Sequence, residues 1–291
     1  HFREYNDLAP DICFGFDAAP GHQASGIRGG YDAASYEGTY GGFGWYSTQL
    51  GGLWDALLGE GRRWFAFGSS DYHGHHTIGL GDFYPGEYQK NWTTVLDLNG
   101  DNTFDESEIV HGMRSGNTFV VTGDLINALE FSASYGGKEA IMGSGISVPQ
   151  SSSLNLVIKF KSPATNNNGD APIVDHIDLI AGDITGKIDS SSPDYTKATN
   201  ESTSIITTFT ATDWQLQEGW YVVTHVIPSV NASRYFRLRG TNHPPNTPHE
   251  TDGEGNPLLD SLVTDNLAID EEDEAWRDLW FYSNPVYVYT D

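Results

Sequence analysis

The sequence predicts two structural classes in succession, an α/β region at residues 1–127 and an all-β region at residues 128–291. In the first region, apolar residues fall on one helical face at 53–58. They are followed by the wholly apolar run 64–67, which is typical of a strand covered on both faces. In the second region, apolar and polar residues alternate at 154–160, as in a half-buried strand. Alternating helices and strands favour an α/β layer or barrel, whereas successive short strands favour an antiparallel β-sandwich.

The sequence predicts one further helix and several strands after residue 67. The segment 109–113 has the spacing of a short helix that ends at Gly116, and the apolar residues 118–121 after it predict a strand. In the all-β region, additional strands are predicted at 177–180, 204–210, 220–226, 235–239 and 286–289. The strongly acidic stretch 265–278 predicts a solvated loop or a short helix.

The composition excludes several classes of partner. Forty acidic residues against 15 basic ones give a net charge of −25, which repels nucleic acids and anionic membranes and attracts cations. No apolar run approaches the roughly 20 residues of a transmembrane helix. The single cysteine, Cys13, excludes an internal disulfide framework. We therefore expect a protein that binds no nucleic acid and does not insert into a membrane.

The first residues, His1 to Glu4, have the character of the interior of a longer protein. They include no Met, no basic segment and no apolar segment of a secretory signal. We therefore expect an upstream part of the same protein.

An Asp-x-His motif follows the apolar run 64–67. Asp71 and His73 are two positions apart, so in an extended segment both side chains point the same way. A carboxylate and an imidazole in this arrangement can bind one metal ion or two adjacent ones. The alternative is an Asp–His turn at the surface. The buried strand before the motif and the small residues Ser69 and Ser70 that lead into it favour metal ligands.

A second candidate motif lies upstream. Asp17 ends an apolar stretch, and the turn residues Pro20 and Gly21 lead to His22. Asp17 and His22 are candidate metal ligands or substrate contacts. The alternative for His22 is a hydrogen-bonded loop residue.

Two stretches resemble one branch of the PHP (polymerase and histidinol phosphatase) phosphoesterases. Residues 54–73 contain a Trp-bearing helix, Leu-Leu-x-x-Gly-Arg and then Gly-Ser-Ser-Asp-Tyr-His, and residues 112–123 are similar to the segment that closes the catalytic domain in that branch. The resemblance covers residues of about 50–127. It implies the C-terminal part of a distorted (β/α)7 PHP barrel that holds several divalent ions, commonly zinc, manganese or iron, with Asp71 and His73 among the ligands.

The chain departs from the PHP pattern at one point. PHP enzymes begin with a His-x-His that supplies further metal ligands, and none precedes the motifs here. A complete barrel would therefore require the upstream part of the protein. The candidate catalytic residues are Asp71, His73, His22 and Arg62, and the candidate metal ligands are Asp71, His73, His22 and Asp17.

The chemistry that the PHP resemblance implies is metal-assisted hydrolysis. Clustered divalent ions lower the pKa of a bound water and neutralise charge on a phosphoryl group. Arg62, Arg63 or Arg28 can bind the phosphate of a small phosphorylated or ester substrate. The alternative for an arginine near a helix C-terminus is a favourable interaction with the helix dipole.

The segment 97–108 matches an EF-hand-type calcium loop. Its candidate ligands at the expected loop positions are Asp97, Asn99, Asp101, Thr103, Asp105 and Glu108, with Thr103 offering its backbone carbonyl. Asn102 replaces the usual glycine, and Asn tolerates the left-handed conformation better than most residues. The alternative is an acidic turn. A single structural calcium site suits an environment with millimolar calcium, so we expect an extracellular or periplasmic protein.

The C-terminal segments 235–242 and 279–288 resemble the strands that follow the PHP domain in the same branch. Arg237 and Arg239 share one face of a strand and are expected to pair with acidic residues. His243 and His249 are weaker candidates for a second metal site.

Three functional hypotheses follow from these patterns. The first is a metal-dependent phosphoesterase stabilised by calcium, and the second is a related hydrolase that cleaves carboxylic or carbamate esters. The third is a catalytically inactive, calcium-binding extracellular protein with a structural or binding role.

Overall fold

The computed structural model describes residues 1–21, 35, 37–260 and 271–291. The described part is mixed and mostly β, with few helices and several sheets, none of which closes on itself. Across these residues, no helix combines the length and the apolar composition that a membrane span requires.

The helices with bounds within the described residues are short. They are α1 (Phe2–Leu8), α2 (Trp45–Thr48), α3 (Leu53–Gly59), α4 (Glu106–Ser115) and α5 (Glu271–Ala275), with single 3₁₀ turns at His76–Ile78 and Pro193–Thr196.

Four strands lie in the first part of the described chain and pair within two small sheets. They are β1 (Gly15–Ala19), β2 (Thr39–Tyr40), β3 (Phe43–Gly44) and β4 (Phe65–Gly68). The other described strands form two larger sheets: β5 (Gln89–Thr93), β6 (Thr118–Thr122), β7 (Ala128–Tyr135), β8 (Lys138–Ile141), β9 (Gly145–Val148), β10 (Ser152–Lys161), β11 (His176–Asp183), β12 (Ser204–Thr210), β13 (Gln215–Gln217), β14 (Trp220–Val230), β15 (Arg234–Thr241), β16 (Trp280–Ser283) and β17 (Val286–Thr290).

The largest buried apolar cluster of the described residues contains side chains from both larger sheets. One is antiparallel with the strand order β13-β14-β10-β7-β8. The other has the order β12-β11-β15-β16-β6-β5, with β17 pairing with β15, and β9 pairing in parallel with β17. Leu154, Leu156 and Ile158 of β10 are fully buried in one apolar cluster with residues of β11, β15 and β17. The alternation predicted at 154–160 is therefore confirmed.

The predicted helix and strand at 53–67 are also confirmed, as α3 and β4. The helix predicted at 109–113 is longer, because α4 begins at Glu106. Asp105 caps it: its side chain accepts from the Glu108 N–H while the Glu108 side chain accepts from the Asp105 N–H. Of the acidic stretch 265–278, residues 265–270 lie outside the described residues.

Hydrogen bonding crosses the predicted boundary between residues 127 and 128. Val121 of β6 pairs with Phe281 of β16, so strands from both predicted regions lie in the eight-stranded sheet. All five residues of β6 are buried, so both faces of this interior strand are covered. The division into two domains stays a prediction, as do the closed barrel and the sandwich.

Candidate functional site

The candidate site begins at the parallel pair β1 and β4. Gly15 lies opposite Phe65, and Asp17 lies opposite Phe67, with a bulge between Asp17 and Ala19. A Cβ at residue 15 would approach the Phe65 carbonyl oxygen to 2.4 Å, so this close pairing requires glycine. Because parallel strands end at the same edge of a sheet, the pair brings Asp17 close to the residues that follow β4.

Asp17 contacts the chain that leaves β4. The Ser69 hydroxyl donates to Asp17 Oδ2 over 2.7 Å. The Asp17 side chain still reaches solvent, but partial loss of water around the carboxyl raises its pKa, and the negative charge of the nearby Asp71 raises the pKa further. Two of the predicted metal ligands, Asp17 and Asp71, are thus electrostatic neighbours.

Asp71 and His73 lie at the surface of this edge. Asp71 has a left-handed backbone with φ 44°, and its Oδ1 is 4.0 Å from Nε2 of His73. Both side chains are at least half exposed. A carboxylate pair and an imidazole suit zinc, manganese or iron. Within the described residues, however, Asp17, Asp71 and His73 do not form a set of three ligand atoms within 4.8 Å of one another.

His22 and Arg28 lie outside the described residues. The roles predicted for them stay predictions.

Asp82 is a site residue that the sequence analysis missed. Its carboxylate is almost fully buried, and its Oδ2 accepts from the backbone N–H groups of His73 and Gly74 over 2.5 and 2.9 Å. The same oxygen is 3.6 Å from His73 Nδ1. Asp82 therefore fixes the turn that carries His73. The only sequence signal is an aspartate beside the buried Phe83, in a motif of no recognised spacing.

Two asparagine side chains hold the outer edge of β4. Asn284 accepts from the Ala66 N–H over 2.8 Å and donates to the Ala66 carbonyl over 3.3 Å. Asn91 makes the same two contacts with Gly68, at 2.8 and 2.7 Å. Each carboxamide thus takes the place of a neighbouring strand. We call Asn91 and Asn284, with their contacts to β4, the amide clasp.

Arg62 is buried among charged side chains, of which Asp7 reaches the surface. It donates to Glu60 over 2.8 Å and to both carboxylate oxygens of Asp7 over 2.7 and 3.0 Å, and Arg3 contacts Glu60 from α1. The hydrogen bond from Arg62 lowers the pKa of Asp7, although partial burial opposes it. These contacts give Arg62 a structural role between α1 and the end of α3. Its role in binding phosphate stays a prediction.

The predicted calcium loop folds around Asp97. The Asp97 carboxylate accepts from the backbone N–H groups of Gly100, Asp101 and Asn102 over 2.6, 3.3 and 2.8 Å. These bonds, that from Asn102 foremost, lower the pKa of Asp97. Asn102 has φ 63°, so it adopts the left-handed conformation expected at the position where glycine is usual.

Glu108, the last predicted calcium ligand, turns back towards the loop from the first turn of α4. Its Oε1 accepts from the Leu98 N–H over 2.7 Å, and its Oε2 accepts from the Asp105 N–H over 3.1 Å. Asp101 accepts from the backbone and hydroxyl of Thr103, which closes the middle of the loop. The acidic side chains are therefore oriented by backbone hydrogen bonds.

The sequence predicts His249 as the partner of His243 in a second metal site, whereas the structure places two carboxylates close to His243. His249 is exposed, whereas His243, Glu250 and Asp278 bring one ligand atom each to within 4.8 Å of one another. His243 Nε2 is 3.2 Å from Asp278 Oδ1.

Arg237 and Arg239 pair with acidic residues, as predicted. Arg237 donates to both oxygens of Asp55 over 2.9 and 2.8 Å, and Arg239 contacts Asp178 over 2.6 Å. Both pairs are buried. They are structural contacts between β15 and its neighbours α3 and β11.

No protein-family model, curated protein or solved structure matches the chain. The resemblance carried by residues 54–73 and 112–123 therefore stays a prediction.

Proposed function

We propose that the protein is a metal-dependent hydrolase, a phosphoesterase that uses metal-activated water. In this proposal the chain is the C-terminal part of a PHP barrel with an appended β-sandwich. The observation that carries it is the parallel pairing of β1 with β4, which brings Asp17 to the edge that bears Asp71 and His73. Side chains at the carboxyl ends of parallel strands are the usual position for a site in α/β folds.

The residues at this edge have the chemistry that divalent ions require. Asp71, His73 and Asp17 offer carboxylate and imidazole donors, which suit zinc, manganese or iron. A bound ion would supply hydroxide at neutral pH. Asp82 acts as a positioning residue, because its bonds to the His73 and Gly74 N–H groups fix the turn that carries the imidazole. Ser69 orients the Asp17 carboxylate. The substrate class is a small phosphate ester or related ester.

The test uses the full-length natural protein with p-nitrophenyl phosphate and its diester as substrates. Asp71→Asn and His73→Gln are expected to lower bound transition metal and to reduce kcat/KM by more than about 100-fold, because each removes a metal ligand. Asp82→Asn keeps an acceptor but loses the charge, so a loss of about 10- to 100-fold in metal affinity is expected.

His249→Asn is the matched control, since His249 is exposed and Asn tolerates its left-handed backbone. Unchanged metal content and unchanged hydrolysis in both Asp71→Asn and His73→Gln would contradict the proposal.

A second candidate function is favoured by the loop at 97–108. Its carboxylates are oriented by backbone hydrogen bonds, and they stand at the positions that supply oxygen ligands in an EF-hand loop. In this alternative, the protein is a catalytically inactive, calcium-binding extracellular protein with a structural or binding role. Calcium in the loop fits both functions and supports an extracellular or periplasmic location.

Removal of calcium tests whether the loop at 97–108 binds this ion. Adding EGTA is expected to lower the midpoint of thermal unfolding, and Asp97→Asn is expected to abolish the difference between calcium-loaded and calcium-free protein. Asp189→Asn is the control, because Asp189 makes the same kind of local turn with Ser191 outside the loop. Equal sensitivity to EGTA in wild type and Asp97→Asn would mean that the loop is an acidic turn only.

A further inference from the structure

The end of the β15–β16 ladder brings a histidine opposite an aspartate. Beyond the last strand residues, the Asn242 N–H donates to the Leu279 carbonyl over 3.2 Å, and the Leu279 N–H donates to Asn242 Oδ1 over 2.9 Å. One position further out, His243 lies beside Asp278. Their proximity is therefore fixed by the sheet register.

Glu250 is brought to the same place by a compact turn. The hydroxyls of Thr247 and Thr251 both donate to the Pro244 carbonyl over 2.7 Å. Glu250 lies between them, with its N–H donating to Thr247 O over 3.1 Å and its carbonyl accepting from the Leu258 N–H over 2.8 Å. The backbone on both sides of Glu250 is thus held.

The three side chains have the spacing of ligands around one ion. Donor atoms about 2.0–2.2 Å from a shared ion are separated by about 3.3 Å in a tetrahedral site and by at most about 4.4 Å. His243 Nε2 and Asp278 Oδ1 are 3.2 Å apart, and the ligand atoms of all three residues lie within 4.8 Å of one another. The 4.8 Å limit slightly exceeds about 4.4 Å, so a bound ion would draw the three ligand atoms closer together.

Burial and charge favour a cation at this position. His243 and Asp278 are 8% and 2% exposed, and Glu250 is half-buried. The two carboxylates bring two negative charges to the position that the ion would occupy, next to the imidazole. The Trp280 indole N–H also donates to Asp278 Oδ1 over 2.5 Å, which fixes the carboxylate in the way that outer contacts fix metal ligands.

We propose that His243, Glu250 and Asp278 bind one divalent transition-metal ion, zinc or manganese. One imidazole and two carboxylates suit these ions, whereas calcium prefers ligands that are all oxygen. The ion fastens the loop at 243–259 to the ends of β15 and β16. This structural site lies on other elements than the β1–β4 edge and does not depend on the hydrolase proposal.

The experiment measures hydrogen exchange of the backbone amides at 243–259 in the full chain, together with metal content. After treatment with a chelator, adding zinc or manganese chloride to wild type is expected to slow exchange in this loop. Glu250→Gln and His243→Gln are each expected to lose one ion per chain and to bind the added metal at least about tenfold more weakly. Glu254→Gln and His249→Asn, which alter exposed residues of the same loop, are expected to behave as wild type.

Hydrogen exchange of the metal-free proteins distinguishes loss of the metal from a disturbed fold of the loop. Glu250→Gln is nearly isosteric, so its exchange without metal is expected to match that of metal-free wild type. If both variants keep the wild-type metal content and the metal-dependent protection, the proposal is overturned. A loop in wild type whose exchange does not respond to either ion would also overturn it, and His243 and Asp278 would then form an ion pair only.

Discussion

At the scale of single residues, the amide clasp supplies hydrogen-bond partners to the outer edge of β4 beside the candidate site. A backbone N–H or carbonyl that is buried without a partner costs about 1–3 kcal/mol. Ala66 is 2% exposed and Asn284 is 1% exposed, so water cannot replace the carboxamide there. The edge of β4 therefore depends on side chains from β5 and from the segment between β16 and β17.

We expect Asn284→Ala to lower the free energy of unfolding by about 1–3 kcal/mol, because both polar groups of Ala66 lose their partner. Denaturation by urea measures the change. Asn168→Ala, at an exposed position, is the control. A loss in Asn284→Ala no larger than in the control would mean that the clasp adds nothing to stability.

Conformations set by residues close in sequence were predictable, whereas contacts between residues far apart in sequence were not. The left-handed conformation of Asn102 follows from its place in a 12-residue motif. Asn284 contacts a strand 218 residues away in the chain, and no spacing rule connects the two. The ion pair of Arg62 with Asp7, 55 residues away, was hidden for the same reason, and the sequence left phosphate binding and an interaction with the helix dipole open for Arg62.

At the scale of elements, α1 is attached to the turn after α3 by charged side chains. Arg62 donates to Asp7 of α1 through two nitrogens, and Lys187 contacts the same carboxylate over 2.9 Å. The lowered pKa of Asp7 means that the folded protein releases this proton more readily than the unfolded chain does. The contribution of Asp7 to stability is therefore complete above the pKa of the unfolded state and is lost as the pH falls below it.

The difference in unfolding free energy between wild type and Asp7→Asn is expected to be constant above about pH 5 and to shrink below about pH 4. Urea unfolding curves across this range measure it. Asp11→Asn, at an exposed position nearby, controls for the general effect of removing a negative charge. A difference that grows as the pH falls would contradict the assigned ion pair.

The elements with strong periodicity were predicted well from the sequence. The helix α3, the buried strand β4 and the alternating strand β10 each have a pattern that their burial explains. The two-residue strands β2 and β3 have too few residues for any period. Their pairing depends on neighbours such as Trp280, which packs against Gly41 between them.

At the scale of the whole molecule, buried ion pairs connect the predicted regions. Arg237 of β15 and Asp55 of α3 are both fully buried, and the Tyr235 hydroxyl donates to the same aspartate over 3.0 Å. The Arg237 guanidinium also lies 4.8 Å from the centre of the Trp54 ring. The helix of the first region is thus fixed to a central strand of the eight-stranded sheet.

Arg237→Ala is expected to lower stability by about 3–5 kcal/mol, because it leaves the charge of Asp55 buried without its counter-ion. Arg234→Ala, on the same strand, removes a partly exposed pair with Asp183 and is expected to cost about 0–1 kcal/mol. Both values come from equilibrium unfolding. Equal costs for the two variants would mean that burial of the first pair is unimportant.

The boundary predicted at residue 127 follows a change in local composition. Which strands belong to a sheet depends instead on hydrogen bonds between residues far apart in the chain. Residues 118–122 are preceded by a helix and were therefore assigned to the α/β region. Their hydrogen bonds go to β5 and β16, which lie on opposite sides of the division. Composition cannot reveal that one sheet contains strands from both sides of this boundary.

The amide clasp also determines the direction in which the β1–β4 sheet can grow. Asn91 and Asn284 occupy the N–H and carbonyl groups of Ala66 and Gly68, the groups that a further strand would need. An edge with these groups occupied cannot template a second copy of the chain, so β4 is protected against edge-to-edge aggregation without a proline or a charged side chain in the strand. It is a terminal strand, and any strand added to this sheet has to join on the side of β1.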